Sequence, residues 1–147
     1  DTPMSQGTRC RQLAEYVVFE SPLNMLCDSP TNYDREEECT EFIATIPTVW
    51  EQTIAMNGEI GKYITMARRK GDVWYVGSLT NWDARTLTLD LSFLGAGRWK
   101  AEMFHDGVNA NRLASDYQKT VTDIPASRKL TVKMAQGGGC ALKIYKE

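Results

Sequence analysis

The sequence predicts a mainly β protein in which two α-helices precede an antiparallel β-sandwich of about eight strands. Three observations support this fold class. Apolar residues recur at helical spacing before Pro47 and alternate with polar residues after it. About eight alternating segments follow, and turn-forming residues separate them at intervals of roughly 8–12 residues. Two of these segments form the clearest hairpin in the chain, around Lys70-Gly71-Asp72, where Gly71 supplies the positive φ of a tight turn.

Two amphipathic helices are predicted in the first third of the chain. In the first, over residues 8–27, one apolar stripe occupies positions i, i+3, i+4, i+7 and i+8. Its members are Cys10, Leu13, Ala14, Val17 and Val18. Pro22 lacks an amide donor and therefore predicts a kink in this helix. The second helix, over residues 32–46, is expected to end at Pro47, and its stripe consists of Cys39, Phe42, Ile43 and Ile46.

The predicted strands begin with a weak segment at residues 50–56, which Asn57-Gly58 is expected to turn back as a two-residue hairpin. The two strands around Gly71 follow. Five more alternating segments lie at residues 85–94, 99–103, 117–121, 130–134 and 140–144. The predicted organisation is therefore a helical part, residues 1–46, followed by a sandwich domain, residues 47–147.

The helical part raises a physical difficulty. The two sheets of a sandwich cover each other, so the helix face of Leu13, Val17 and Val18 has no evident partner in the chain. We interpret this face as one that packs against a larger body preceding it. In the isolated chain it is expected either to fold back on a sheet or to drive self-association, because large apolar patches are rarely left exposed.

Composition argues against two classes of partner. The formal net charge is −2 over 147 residues, which favours neither nucleic acid nor an anionic membrane surface. No apolar run approaches the roughly 20 residues that span a bilayer. The first residues do not form a signal peptide either. The protein is therefore expected to be cytoplasmic, or else to have its targeting segment outside this sequence.

The four cysteines do not indicate a metal site. They contain no CxxC pair, and His105 is the sole histidine, so a structural zinc site is not expected. Cys10 and Cys39 are predicted to be buried, reduced thiols because each lies in an apolar stripe. Cys27 and Cys39 form the one pair considered for a disulfide.

The acidic run at residues 34–41 could hold a cation, but it lacks the glycine turn of a calcium loop, so a solvated helix start is favoured.

Catalytic patterns are not found in the sequence. Glu15 and Glu20 are five residues apart on the first helix and point in different directions, so they do not form an acid and base pair. A GxSxG motif is missing, and Gly137-Gly138-Gly139 is not followed by the residues of a phosphate loop. We assign no catalytic, cofactor-binding or metal-binding residue.

Among the tryptophans, Trp74 and Trp99 fit core positions, whereas Trp82 lies in a predicted turn and could form an exposed platform for a sugar ring.

Several segments closely resemble the C-terminal end of glycoside hydrolase family 97, and the likeness is collinear over essentially the whole chain. They are TRCRQLAEYVVFESPLNMLCDSPTNY (residues 8–33), ECTEFIATIPTVWEQT (38–53), ARRKGDVWYVGSLTNW (67–82), LTLDLSFLGAG (87–97) and IPASRKL (124–130).

This resemblance implies a parent enzyme with an N-terminal β-sandwich, a catalytic (β/α)8 barrel and a C-terminal antiparallel β-sandwich. Residues 8–28 then resemble the last helix of the barrel, residues 32–46 a connection, and residues 48–147 the terminal sandwich. The two helices would thus be left over from the barrel. Enzymes of this family are calcium-dependent, exo-acting α-glucosidases or α-galactosidases that are typically exported to the bacterial periplasm. A periplasmic or secreted location and a calcium ion in the parent's barrel are therefore expected.

The family's acid and base glutamates and its calcium-binding carboxylates lie upstream of this region, so none is transferred to any residue here. We expect a non-catalytic accessory region that buttresses the barrel of an α-glycosidase, with the remainder of the parent as its partner. A carbohydrate-binding module that uses Trp82 is the alternative, and an enzyme in its own right is a third hypothesis. The sequence does not show whether the parent enzyme acts on glucosides or on galactosides. It also does not show whether the reaction inverts or retains the anomeric configuration.

Overall fold

The computed structural model describes residues 7–19, 33–107, 110 and 116–147, with no account of the side chains of residues 33–37. Two helices precede eight strands in the described chain. The helices are α1 (Arg9–Val18) and α2 (Tyr33–Thr45). The strands are β1 (Gln52–Glu59), β2 (Tyr63–Lys70), β3 (Val73–Thr80), β4 (Arg85–Asp90), β5 (Trp99–Asp106), β6 (Tyr117–Asp123), β7 (Lys129–Met134) and β8 (Gly139–Lys146).

The strands form two antiparallel sheets of unequal size. The larger sheet has six strands in the order β1-β2-β3-β8-β5-β6, and the smaller pairs β4 with β7. One apolar cluster lies between the two sheets, and others lie between the large sheet and the helices. The protein therefore has three layers: helices, large sheet, small sheet. This architecture confirms the predicted mainly β fold with two helices and eight strands.

Strand β3 lies at the centre of this arrangement and is buried on both faces. Trp74 and Val76 point into the cluster between the sheets, whereas Tyr75 and Leu79 contact the helices. This alternation explains why the segment is a nearly continuous apolar run, since neither face of the strand meets water. The hairpin of β2 and β3 turns at Gly71, whose φ of 61° is the positive value that the sequence predicted.

Helix α1 packs on the outer face of the large sheet through its predicted apolar stripe. Leu13 and Val17 belong to a cluster that contains Tyr75 and Ala141 of the sheet, and Val18 packs with Leu79. The face of Leu13, Val17 and Val18 therefore has a partner within the chain, which the sequence alone did not make evident. The physical reason is the size of the small sheet, because two strands cover only one side of a six-stranded sheet and the other side is free for helices. Of the two outcomes expected for an isolated chain, the face folds back on a sheet.

Helix α2 also packs on the large sheet. Cys39 and Phe42 are buried, with Ile43 and Ile46 packed against the same cluster, so the predicted stripe is confirmed. The buried position predicted for Cys10 is confirmed as well. The predicted kink at Pro22 lies outside the described residues, as does Cys27, so the Cys27–Cys39 disulfide stays a prediction. The boundary near Pro47 also stays a prediction.

The predicted hairpin turn at Asn57-Gly58 is wrong. Gly58 lies inside β1 and pairs with Ile64 of β2, after a bulge between Ala55 and Asn57. The chain reverses three residues later at Gly61, whose φ is 80°. Asn81 fixes this later turn, because its amide group Nδ2 donates to the carbonyl oxygen of Gly61 at 3.1 Å and its backbone N–H donates to Lys62. A contact with a residue twenty positions away in sequence thus overrides the local turn propensity.

Among the described residues, no helix is both long and apolar enough to cross a bilayer.

Candidate functional site

An apolar groove lies at one end of the large sheet, between the β1–β2 turn and the C-terminal end of α1. Its volume is about 510 Å3. Three of its apolar side chains are unusually exposed: Phe19 (53%), Ile60 (102%) and Ile64 (40%). We call this the Phe19 groove. Apolar side chains gathered on a surface in this way are typical of a site that contacts another protein segment.

The position of Phe19 follows from the way α1 ends. Arg68, on β2, donates from Nε to the carbonyl oxygen of Val17 at 2.6 Å and from Nη2 to that of Val18 at 2.8 Å. These carbonyls have no partner within the helix, so the guanidinium group satisfies them. The backbone N–H of Phe19 then donates to Glu15 at 3.0 Å. The last turn of α1 is thereby fixed, and Phe19 lies at the rim of the groove.

Sequence reasoning assigned no role to Arg68 because it lies in the polar run Arg68-Arg69-Lys70 at the end of a strand. The structure buries Arg68, which is 4% exposed, whereas Lys70 is exposed. One signal could have identified it. In the period of two, Arg68 lies on the same face of the strand as Ile64 and Met66.

The charged side chains that line the Phe19 groove are paired within the chain. Lys62 Nζ lies 3.2 Å from Glu59 Oε2 across the β1–β2 turn. Arg11 pairs with Glu15 at 3.4 Å and donates from Nη1 to the carbonyl oxygen of Thr80 at 2.7 Å. Burial raises the pKa of Glu15, and the neighbouring Arg11 opposes that rise. The groove therefore offers apolar contact rather than a binding site for a charged ligand.

Trp82 lies just after β3, close to this groove but not in it. It is 53% exposed, and its ring lies against Gly137, where a Cβ atom would come within 2.7 Å of Cζ3. Part of the ring is therefore covered by backbone while the rest faces solvent. This is the placement that the sugar-platform hypothesis requires, but sugar binding itself stays a prediction. Trp74 and Trp99 are buried, as their core assignments predicted.

The acidic and basic side chains near His105 are engaged in structural hydrogen bonds. His105 Nε2 lies 3.0 Å from Thr120 Oγ1 on the neighbouring strand. Asp106 Oδ2 accepts the backbone N–H of Ala135 at 2.8 Å, and burial raises the pKa of this carboxyl group. Within residues 7–19, 38–107, 110 and 116–147, no three His, Cys, Asp or Glu side chains form a group that could hold a metal ion. Among the described residues, the clearest candidate site is therefore the apolar surface of the Phe19 groove.

Comparison with known proteins identifies this architecture. Residues 49–145 match the model of one protein family, whose description is glycosyl-hydrolase 97 C-terminal, oligomerisation. The chain belongs to this family. The match covers β1 to β7 and all of β8 except Lys146, and the resemblance that the sequence suggested is confirmed.

Two curated relatives of this family 97 region are α-galactosidases. The chain is 61% identical over 142 residues to a retaining α-galactosidase of Bacteroides thetaiotaomicron, covering 97% of this chain and 22% of that protein. It is 29% identical over 96 residues to a probable retaining α-galactosidase of Streptomyces bingchenggensis, covering 65% of this chain and 15% of that protein. The chain thus spans less than a quarter of the length of the curated relatives it matches.

A solved structure of a family 97 enzyme contains a region that is similar to this chain. The chain superposes on a glycoside hydrolase family 97 enzyme of Pseudoalteromonas sp. strain K8, in complex with acarbose, with a TM-score of 0.84 and 37% identity. The superposition covers 95% of this chain and 23% of that enzyme.

Proposed function

We propose that this chain is the non-catalytic C-terminal region of a retaining family 97 α-galactosidase, and that it supports the catalytic part of that enzyme through surface contacts. The observation that carries the proposal is the Phe19 groove, an apolar surface whose charged lining residues are already paired. The family description, which combines a C-terminal position with oligomerisation, supports a role in assembly. The 61% identity to a retaining α-galactosidase supports a longer enzyme that acts on galactosides rather than glucosides and that retains the anomeric configuration.

The test separates the catalytic role from the supporting role. The chain alone should not hydrolyse p-nitrophenyl α-galactoside, whereas the longer enzyme should, with little turnover of the α-glucoside. The catalytic part produced without this chain should unfold at a lower temperature and regain stability when the chain is added. Turnover by the repurified chain, or a catalytic part that is equally stable without it, contradicts the proposal. Detection of the β-anomer as the first product would contradict retention.

A calcium ion in the parent enzyme follows from the family resemblance. Calcium takes roughly six to eight oxygen ligands, several of them carboxylates. The part of the chain that the structure describes holds no group of three metal-binding side chains, so these residues do not fit such a site. By the family resemblance, we propose that this calcium lies in the catalytic barrel of the longer enzyme. Calcium chelation should lower the activity of the longer enzyme and leave the unfolding temperature of the chain alone unchanged.

We also propose that the longer enzyme works in the periplasm or is secreted, since that location follows from the family resemblance. Fractionation of the producing cells, followed by immunodetection of the chain's epitopes, tests this location. Recovery of the enzyme with a cytoplasmic marker contradicts it.

Sugar binding by Trp82 is a second candidate function, favoured by the exposed part of its ring. Aromatic rings at sugar sites stack on the apolar face of a pyranose. Titration of the chain with galactosides or maltooligosaccharides should then change tryptophan fluorescence at millimolar sugar. The Trp82→Ala variant should abolish that change, whereas wild-type fluorescence that does not saturate eliminates this candidate.

A further inference from the structure

We infer that the Phe19 groove is occupied by apolar side chains of the catalytic part of the same polypeptide. The inference rests on the proposed function and deepens it, since it names the surface through which the support is given. The occupant is identified as an upstream segment of this enzyme and not as a second copy of it. Three observations support this choice: the place where the chain enters the structure, the chemistry of the groove, and its size.

The chain enters the described structure beside the groove. Gly7 and Thr8 lie at the start of α1, and the backbone N–H of Thr8 donates to Gly137 at 3.1 Å. The backbone N–H of Gly137 in turn donates to Asn81, which lines the groove. Arg11, a second lining residue, lies close enough to Gly7 that a Cβ there would meet its side chain. The first described residues of the chain therefore lie close to Asn81 and Arg11, two residues that line the groove.

The chemistry of the groove requires an apolar occupant. Phe19, Ile60 and Ile64 present exposed hydrocarbon. The charged lining residues Arg11, Glu59 and Lys62 each have an ion-pair partner in the chain. An anionic or cationic ligand would therefore have to break an existing pair, whereas an apolar side chain gains contact without doing so. The volume of about 510 Å3 is sufficient for several side chains.

The size of the exposed apolar surface favours a covalently attached occupant. A stable interface between separate proteins involves roughly 20–30 residues on each side. The Phe19 groove is lined by twelve residues, of which three are apolar and strongly exposed, and this is too few on that scale. A segment of the same polypeptide has already lost most of its freedom to diffuse away, so a small contact is enough to hold it.

The first experiment measures the exposure of Phe19 and Ile60 by hydroxyl-radical labelling and mass spectrometry, in the 147-residue chain and in the longer enzyme. We expect labelling of both residues to fall about fivefold or more in the longer enzyme, independently of protein concentration. Val121 is the matched control because it is also 53% exposed but lies on β6, at the opposite edge of the sheet. Its labelling should not change with the upstream part of the chain.

Other outcomes overturn the inference in distinguishable ways. Protection that disappears on dilution identifies a second copy as the occupant. Unchanged labelling of Phe19, in an enzyme whose catalytic part is still stabilised by this chain, overturns the inference and leaves the proposed function standing. If this chain does not stabilise the catalytic part at all, both the inference about the Phe19 groove and the proposed function are contradicted.

A substitution provides an independent readout. Ile60 is fully exposed in the chain, so Ile60→Ser should not change the unfolding temperature of the chain alone. In the longer enzyme the same substitution should lower that temperature by a few degrees, about 2–4 °C. Val121→Ser should leave both unchanged. An Ile60→Ser shift of the same size in the chain and in the longer enzyme contradicts the inference.

Discussion

The guanidinium group of Arg68 donates a 2.6 Å hydrogen bond from Nε to the backbone carbonyl oxygen of Val17. Strand β2 is thereby joined to the last turn of α1, which contains no basic residue of its own. Helices often end with a local glycine or a nearby cation that satisfies the last carbonyls. Here a residue about fifty positions later in the sequence does so, and the helix is held on the sheet by the same contact.

Arg68→Met is expected to lower the free energy of unfolding by about 2–4 kcal/mol, because each lost hydrogen bond to a charged group contributes roughly 1.5–3 kcal/mol and its carbonyl partner stays buried. Urea denaturation followed by circular dichroism measures this. Arg69→Met is the control, since Arg69 forms a surface ion pair with Glu51 at 3.2 Å. That pair contributes at most about 1 kcal/mol. Equal effects of the two substitutions would show that the bonds to α1 do not stabilise the fold.

A glycine on β3 sets how closely α1 approaches the sheet. A Cβ atom at Gly77 would lie 2.7 Å from the carbonyl oxygen of Ala14 and 2.9 Å from Cβ of Val17. Gly77→Ala must therefore push the helix away, and we expect a loss of about 1–3 kcal/mol of unfolding free energy, as for other overpacked cores. Thermal or urea unfolding measures the loss.

Gly95→Ala is the matched control for Gly77→Ala. No atom lies within 4 Å of a Cβ placed at Gly95, and its φ is not positive. This substitution should be neutral or stabilise the protein by up to about 1 kcal/mol, because it reduces the freedom of the unfolded chain. A tolerated Gly77→Ala would mean that the helix does not pack as closely as the structure shows.

The strands could be predicted because their patterns are local. Alternation in residues 85–94 and the apolar run of β3 each reflect which faces of a strand are covered. The apolar run is confirmed as a strand, and the alternating segment is confirmed over Arg85–Asp90, where β4 ends. The placement of α1 could not be predicted in the same way. Its apolar stripe showed that a partner existed, but only the unequal size of the two sheets shows that the partner lies within the chain.

The candidate site was the least predictable part. The Phe19 groove joins the end of a helix to a turn about forty residues later, and the turn was expected at Asn57-Gly58. Its true position depends on the hydrogen bond from Asn81 to Gly61, a pairing that no local pattern reveals. Trp82 was predictable as a turn residue, since its neighbours ended a strand, but its contact with Gly137 was not.

The hydroxyl group of Tyr75 joins β3 to the end of α2. It donates to the carbonyl oxygen of Thr45 at 2.8 Å, and the ring packs edge-on against Phe42. Tyr75→Phe keeps the packing and removes the hydrogen bond, so the expected cost is about 1 kcal/mol. Amide hydrogen exchange should show faster opening of the last turn of α2. Tyr145→Phe, a half-buried residue on β8, is the control and should leave exchange in α2 unchanged.

Asp106 should give the stability an unusual pH dependence. Burial raises the pKa of its carboxyl group in the folded state, although the hydrogen bond from the backbone N–H of Ala135 opposes the rise. The folded protein then binds this proton more tightly than the unfolded chain, whose aspartates titrate near about 3.9. Unfolding free energy is therefore lost as pH rises from that value through the raised pKa.

The Asp106→Asn variant removes this titration, so its stability relative to wild type should increase as the pH is raised from about 3 to about 7. Asp90→Asn is the control, and its stability relative to wild type should decrease over the same rise in pH. Hydrogen bonds from Ser92 lower the pKa of Asp90, so its contribution to stability is present at neutral pH and lost on acidification. Urea unfolding across this pH range measures both differences. A relative stability of Asp106→Asn that does not change with pH would show that the carboxyl group of Asp106 is not perturbed by burial.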